Sequence, residues 1–246
     1  MDFIRIMMKI EYDGTEFHGW QLQPGARSVQ GEIESVLESL CGRKIRITGS
    51  GRTDSGVHAL GQIAHADIKP GEFDRVENGL PSMLAEDVAV TSLSRVEDSF
   101  HARFDAVSRL YRYRISKEKH PLTSRYSYIL PGARTLDIES MLKAASLSIG
   151  ESNWIAMAKE GSSNSNWIVR VIDANVLEDQ SGWTFLIQGN RFLRGLVRIW
   201  AGTLVQIGSG SDSPELITEL LESGDRNRAG ASLPAKGLTL LEVRYS

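Results

Sequence analysis

The chain has a single cysteine, Cys41, among its 246 residues. No intrachain disulfide or cysteine-built metal site can form, and a reducing cytoplasm is the expected setting. Five histidines, His18, His58, His65, His101 and His120, fall at no metal-ligand spacing, so no metal is expected. Long apolar runs are missing: none approaches the ~20 residues of a membrane helix, and the stretch from Met1 to Ile6 lacks the apolar core of an export signal. A soluble, unexported protein with no membrane partner is the expectation. A cationic surplus is missing too, since the formal net charge is −3, which does not advertise a polyanion binder. The charges are nevertheless uneven. No acid lies between Asp179 and Asp212, a span holding Arg191, Arg194 and Arg198, and bases outnumber acids from 103 to 125. Such runs are either solvated faces or a basic cleft on a mildly acidic body.

What is present suffices for a core, with 41% hydrophobic residues in one large domain or two ordinary ones. Alternation predicts a strand over Ile4–Tyr12, and Ser28 caps a helix whose Val29, Ile33, Val36, Leu37 and Leu40 share a face before Gly42. Lys44–Thr48 reads as a strand because Ile45 and Ile47 lie two apart, and Gln62–Ile68 as another. A short helix over 74–84 and a strand over Val88–Val96 follow. Phe100–Phe104 closes the first half, so the expected domains are 1–104 and 105–246. In the second half, Arg109–Ile115 reads as a strand with Tyr111, Tyr113 and Ile115 on one face and Arg112 and Arg114 on the other. Asp137 caps a helix carrying Ile138, Met141, Leu142, Ala145 and Ile149. A Ser/Asn/Gly-rich loop around 161–166 precedes strands over 167–176 and 183–188. A helix from about Phe192 to Ile207 comes next, then one begun by Ser213 and Pro214, and a terminal strand through Val243. Strands and helices alternating in both halves describe an α+β protein.

The densest chemistry lies in Gly49-Ser50-Gly51-Arg52-Thr53-Asp54-Ser55-Gly56-Val57-His58-Ala59-Leu60-Gly61-Gln62. Arg52 and Asp54, two apart in an extended segment, project to one side. Three readings stand on these residues. Asp, Ser, Thr and Gly are ordinary turn formers. Gly49-x-Gly51 after a strand begins like a dinucleotide fingerprint, but Asp54 sits where its last glycine belongs and would repel a pyrophosphate. The third is a catalytic carboxylate. Gly51-Arg52-Thr53-Asp54-Ser55-Gly56-Val57-His58-Ala59 resembles the active-site motif of the TruA family of tRNA pseudouridine synthases. Similar to other family signatures, in the same order, are Tyr12-Asp13-Gly14-Thr15 with Gly19-Trp20-Gln21, Phe100-His101-Ala102-Arg103-Phe104, Ser108-Arg109-x-Tyr111-x-Tyr113, Gly189-Asn190-x-Phe192 with Val197-Arg198, and the closing Ala235-x-Gly237-Leu238.

The resemblance implies an α+β pseudouridine synthase fold: two similar halves around a mostly antiparallel sheet, with the active-site cleft between them. It implies an isomerase, an intramolecular transferase acting on uridines 38, 39 and 40 of the tRNA anticodon stem-loop, without cofactor. Asp54 would be the nucleophile, Arg198 the cation paired with it, and Tyr111 the aromatic that stacks on the uracil and handles the C5 proton. Arg52 would take the place of the flipped nucleotide. Arg194, four residues before Arg198 on the expected helix, would share its face and bind substrate. His58 reads as structural. The family's homodimer, with tRNA across both subunits, is a further expectation. The sequence departs from the family pattern at Leu84-Ala85, where a missing proline should loosen a loop, and at Asn153-Trp154 and Ile199-Trp200, which touch substrate contacts and not the reaction. A non-catalytic RNA-binding protein on the same scaffold is the competing reading, opposed by Asp54, Tyr111 and Arg198 occurring together.

Overall fold

A computed structural model describes residues 3–130, 135–159 and 166–246. In chain order the elements are β1 (Ile4–Tyr12), α1 (Val29–Cys41), β2 (Thr48–Gly49), β3 (His58–Ile68), α2 (Phe73–Met83), β4 (Val88–Val96) and β5 (Ala106–Ser116). There follow β6 (Tyr128–Ile129), α3 (Ile138–Leu147), β7 (Gly150–Asn153), β8 (Ile168–Asp179), β9 (Gly182–Gly189), α4 (Leu196–Gly208), α5 (Leu216–Ser223) and β10 (Leu238–Tyr245). The class is α+β with mostly antiparallel strands, as the sequence implies. The chain forms two compact units, Met1–Val107 with Leu240–Ser246, and Ser108–Thr239. The loop expected around 161–166 lies outside the described residues except for Asn166. No described helix is long and apolar enough to cross a membrane.

In the first unit the strand order is β4-β1-β3-β10. β1 is antiparallel to β3, with Met7 opposite His65 and Lys9 opposite Ile63, and antiparallel to β4. Alternation decides which side is core: Ile6, Met8 and Ile10 are fully buried, as are Val29, Ile33 and Leu37 of α1 and Val76 and Leu80 of α2. Each such side chain contributes about 1.5–3 kcal/mol. The Ser28 hydroxyl accepts the Gly31 amide at 3.2 Å, and Gly42 ends α1 in the left-handed region at φ 66°, where glycine avoids the Cβ penalty. The strand expected over Lys44–Thr48 is shorter. Only Thr48 and Gly49 join the ladder, opposite His65 and Ala64. Ile45 and Ile47 are buried alternately as a strand would bury them, yet their backbone has no ladder, so the pattern reported burial rather than pairing.

In the second unit β7-β8-β9-β5 are neighbours, and β6 runs parallel to β5. β9 is antiparallel to both β5 and β8, with Tyr111 opposite Ile187 and Tyr113 opposite Phe185. The Asp137 carboxylate caps α3 by accepting the Glu139 and Ser140 amides. α4 is apolar nearly all round, and the fully buried Trp200 donates through Nε1 to Ser148 Oγ at 2.9 Å. A helix of that character belongs inside a unit. It begins at Leu196, four residues later than expected: Gly195 is left-handed at φ 75°, and the Arg194 carbonyl accepts the Lys159 amide instead of starting the helix. Arg194 and Arg198 therefore do not share a helix face. α5 likewise starts at Leu216, with Glu215 in place of Ser213 at its cap.

Candidate active site

Asp54 stands at the centre of a loop held at both ends. On the incoming side the buried Gln62 carboxamide accepts from Ser50 Oγ at 2.6 Å and donates from Nε2 to the Gly51 carbonyl at 3.0 Å. The Ser50 amide donates to Ile63 O at 2.7 Å. On the outgoing side the Gly56 amide and the Ser55 hydroxyl both donate to Phe17 O. The middle is fixed by Thr53, whose buried hydroxyl shares a 2.8 Å hydrogen bond with Tyr12 Oη, and whose carbonyl accepts the Trp20 amide at 3.1 Å. With Thr53 turned inward, its neighbours on either side turn out: Arg52 is exposed and Asp54 half-buried. The sequence expectation that Arg52 and Asp54 project from one extended segment fits this alternation.

Why the residues from Tyr12 to Trp20 take this form was not legible in the sequence, although the stretch stood out as a motif. A Cβ on Gly14 would lie 2.0 Å from Val57 O, one on Gly19 would lie 2.6 Å from Thr53 O, and one on Gly49 would lie 2.6 Å from the Trp20 ring. At Gly14 and Gly19 the two segments thus meet backbone to backbone, and at Gly49 the backbone meets the Trp20 ring, approaches that a Cβ would block. Tyr12 and Trp20, with ring centroids 6.3 Å apart, fill the space beneath. His58 packs against this segment: its Nδ1 accepts the Gly14 amide at 3.0 Å and lies 3.2 Å from Asp13 Oδ1. His65 is buried and structural. Its Nδ1 accepts the Ala102 amide at 3.1 Å, and burial, followed by the Arg5 and His101 charges, pulls its pKa down to about 4.

The remaining expected site residues belong to the second unit. Tyr111 lies half-buried on β5, its ring edge-on to Phe192 at 5.3 Å and 90°. Tyr113, two residues on, is fully buried and donates to Pro234 O at 2.7 Å. Burial raises its phenol pKa far above the ordinary value, against a lowering contribution from the Arg198 charge. Arg198 is half-buried on α4 and donates from Nε to Leu233 O at 2.6 Å, while its own carbonyl accepts the Leu233 amide at 3.2 Å. The closing segment 233–237 thus orients Arg198 and covers Tyr113, and a Cβ on Gly237 would lie 2.6 Å from the Tyr113 ring. Arg194 is exposed in the turn before α4. Tyr113, Leu233 and Phe192 carry no role in the sequence reading. The signals for Tyr113 are the period-two tyrosine pair and its place in the Ser108–Tyr113 signature, and nothing local points to Leu233.

The chain compares closely with known proteins. A family model described as tRNA pseudouridine synthase matches residues 8–105 and 144–246. The tRNA pseudouridine synthase A of Solidesulfovibrio magneticus is 40% identical, with 98% of this chain and 91% of that protein covered. Those of Acetivibrio thermocellus and Syntrophotalea carbinolica are 38% and 37% identical, covering 98% and 100% of this chain and 99% and 97% of theirs.

Proposed function

The chain belongs to the tRNA pseudouridine synthase family, and on that premise we propose that it isomerises uridine to pseudouridine at positions 38, 39 and 40 of the tRNA anticodon stem-loop, with Asp54 as the nucleophile. The reaction breaks the bond between N1 and C1′, turns the uracil, joins C1′ to C5, and moves the C5 proton out while N1 regains one. Atoms and electrons balance without oxidant, reductant or energy input. An enzyme must therefore expose the base, supply a nucleophile to the nucleoside and take up the C5 proton.

The observation that supports Asp54 most directly is its setting. A half-buried carboxylate, turned out beside the inward Thr53 on a loop clamped by Gln62, Tyr12 and Phe17, is preorganised in the way covalent catalysis requires. Arg198, which donates to Leu233 O, is assigned as the cation that pairs with this carboxylate, as the family resemblance implies. Tyr111, held edge-on by Phe192, is the stacking aromatic and the acceptor for the C5 proton. Arg52 and Arg194, both exposed, are assigned to the RNA: Arg52 to the vacated stack or its phosphate, Arg194 to the backbone. The enzyme works in the cytoplasm as a homodimer, which enlarges the surface a weakly acidic chain offers to RNA.

The test is tritium release from C5-labelled uridine in an unmodified tRNA transcript, comparing the native enzyme with Asp54→Asn. Release by the native form alone, with both forms binding the transcript, is the expected result. Release by Asp54→Asn at the native rate would remove Asp54 from the chemistry. Binding without release by either form would make the chain an RNA-binding protein.

A further inference from the structure

Within the second unit the segment 226–237 returns along α4 in the opposite direction and is held to it at two successive turns. Arg226 Nη1 donates to Ala229 O at 3.2 Å and to Gly230 O at 3.1 Å, folding the start of this strap on itself. The Gly230 amide then donates to Thr203 Oγ1 at 3.0 Å, and a Cβ on Gly230 would strike the Gly202 carbonyl carbon and the Thr203 amide nitrogen. Ala231 O occupies the place a Cβ of Gly202 would need. One helical turn earlier, Leu233 exchanges two hydrogen bonds with Arg198, and Pro234 O accepts from Tyr113 Oη.

A guanidinium carries one N–H on Nε and the others on its two terminal nitrogens. With Nε of Arg198 given to Leu233 O, a carboxylate is left to the terminal nitrogens, and the place of Leu233 O decides the direction in which they are presented. Leu233 O is in turn only as fixed as the strap that carries it. Burial of the Leu233 side chain helps to hold the strap down, but apolar contact is non-directional and does not by itself orient a carbonyl. The polar anchor is Thr203. It is fully buried, and its hydroxyl donates to Ile199 O at 3.0 Å while accepting the Gly230 amide. The donor bond to the preceding helical turn spends the hydroxyl proton and leaves a lone pair for the strap. Valine, of nearly the same shape, would make neither bond and would leave the buried Gly230 amide without this acceptor.

We propose that Thr203 is a positioning residue for the isomerisation: by holding Gly230 it fixes the strap, and through Leu233 O it sets the direction of the Arg198 guanidinium. The proposal rests on the reading above that Arg198 pairs with Asp54, and it adds what holds Arg198 ready for that pairing. Arg226, by folding the strap upstream of Gly230, serves the same end from outside the helix.

The test compares the native full chain with Thr203→Val, Thr203→Ser, Arg226→Met and Arg198→Met, each first checked for folding by circular dichroism. Two quantities are read: kcat and KM from initial-rate tritium release on an unmodified tRNA transcript, and, in the free protein, solvent protection of the arginine Nε–H signals in a nitrogen–proton correlation spectrum. The Arg198 signal is the one absent from Arg198→Met. It should be protected in the native protein. Thr203→Val should lose that protection and lower kcat roughly tenfold at unchanged KM, because a misplacement near 1 Å is worth about a hundredfold and the loss falls on the transition state. Thr203→Ser keeps the hydroxyl and should keep both native values. Arg226→Met should move both quantities in the same direction as Thr203→Val, and it decides the matter if Thr203→Val misfolds. Lost protection with native kcat, or lowered kcat with protection intact, would overturn the proposal and leave Arg198 in the reaction. Native kcat in Arg198→Met would take Arg198 out of the chemistry, and the proposal with it.

Discussion

Replacing Gly19 with alanine tests the claim that the segment after β1 positions Asp54. Gly19 sits at φ 93°, and an added Cβ would lie 2.6 Å from Thr53 O and 3.2 Å from both the Asp54 carbonyl carbon and the Ser55 amide. The left-handed backbone alone costs alanine about 1–2 kcal/mol. Relief of the clash is a separate matter. Bringing the Thr53 contact to even 3.0 Å means a shift of at least about 0.4 Å, and the atoms that must yield are backbone. A misplacement near 1 Å is worth about a hundredfold in rate, so a shift of half that size predicts roughly a tenfold loss in kcat/KM. Stability should fall by about 2–3 kcal/mol, which for a chain of this length lowers Tm by roughly 4–12 °C. Gly25→Ala is the control: it is also left-handed, at φ 71°, but nothing lies within 4 Å of its added Cβ. It should lose about 1 kcal/mol and keep native kcat/KM. The assay is initial-rate tritium release at a temperature well below both melting transitions, with tRNA affinity measured alongside. Equal kcat/KM for the two folded variants would refute the idea that this segment sets the Asp54 geometry.

Two further outcomes follow from buried polar groups. His65 titrates near 4 in the fold against about 6.5 in the unfolded chain, so the fold prefers its neutral ring. The unfolded state then binds more protons between those values. The resulting stabilisation is complete above about pH 6.5 and is lost as pH falls towards 4, as protonation removes the acceptor for the Ala102 amide. Denaturant midpoints should decline over that window, less steeply in His65→Asn, and an unchanged slope would count against the assignment. Tyr113→Phe should cost about 1–2 kcal/mol by stranding Pro234 O, read as a lower urea midpoint with an unchanged m-value. If that variant is as stable as native, the Pro234 bond carries no net stability.

The local features of this chain were legible because local forces make them. β1 and β4 fall where alternation put them, and α1 and α3 start at Ser28 and Asp137, since a hydroxyl or carboxylate three residues ahead of a free amide needs no distant help. The family was likewise legible in its motifs, and the roles proposed for Asp54, Arg52, Tyr111 and Arg198 come from that resemblance. Boundaries set by remote contacts were not legible. α4 starts late because Lys159 takes the Arg194 carbonyl and Gly195 turns left-handed. Lys44–Ile47 forms no ladder although its isoleucines alternate. The supports of the site were invisible for the same reason. Tyr12 reaches Thr53 across 41 residues, Arg198 reaches Leu233 across 35, and Tyr113 reaches Pro234 across 121. The sequence determined which groups are proposed to carry the chemistry, because their identities are the chemistry. Only the tertiary structure decided what holds them, because a hydrogen bond between segments far apart in the chain leaves no period, cap or turn in the letters of either one.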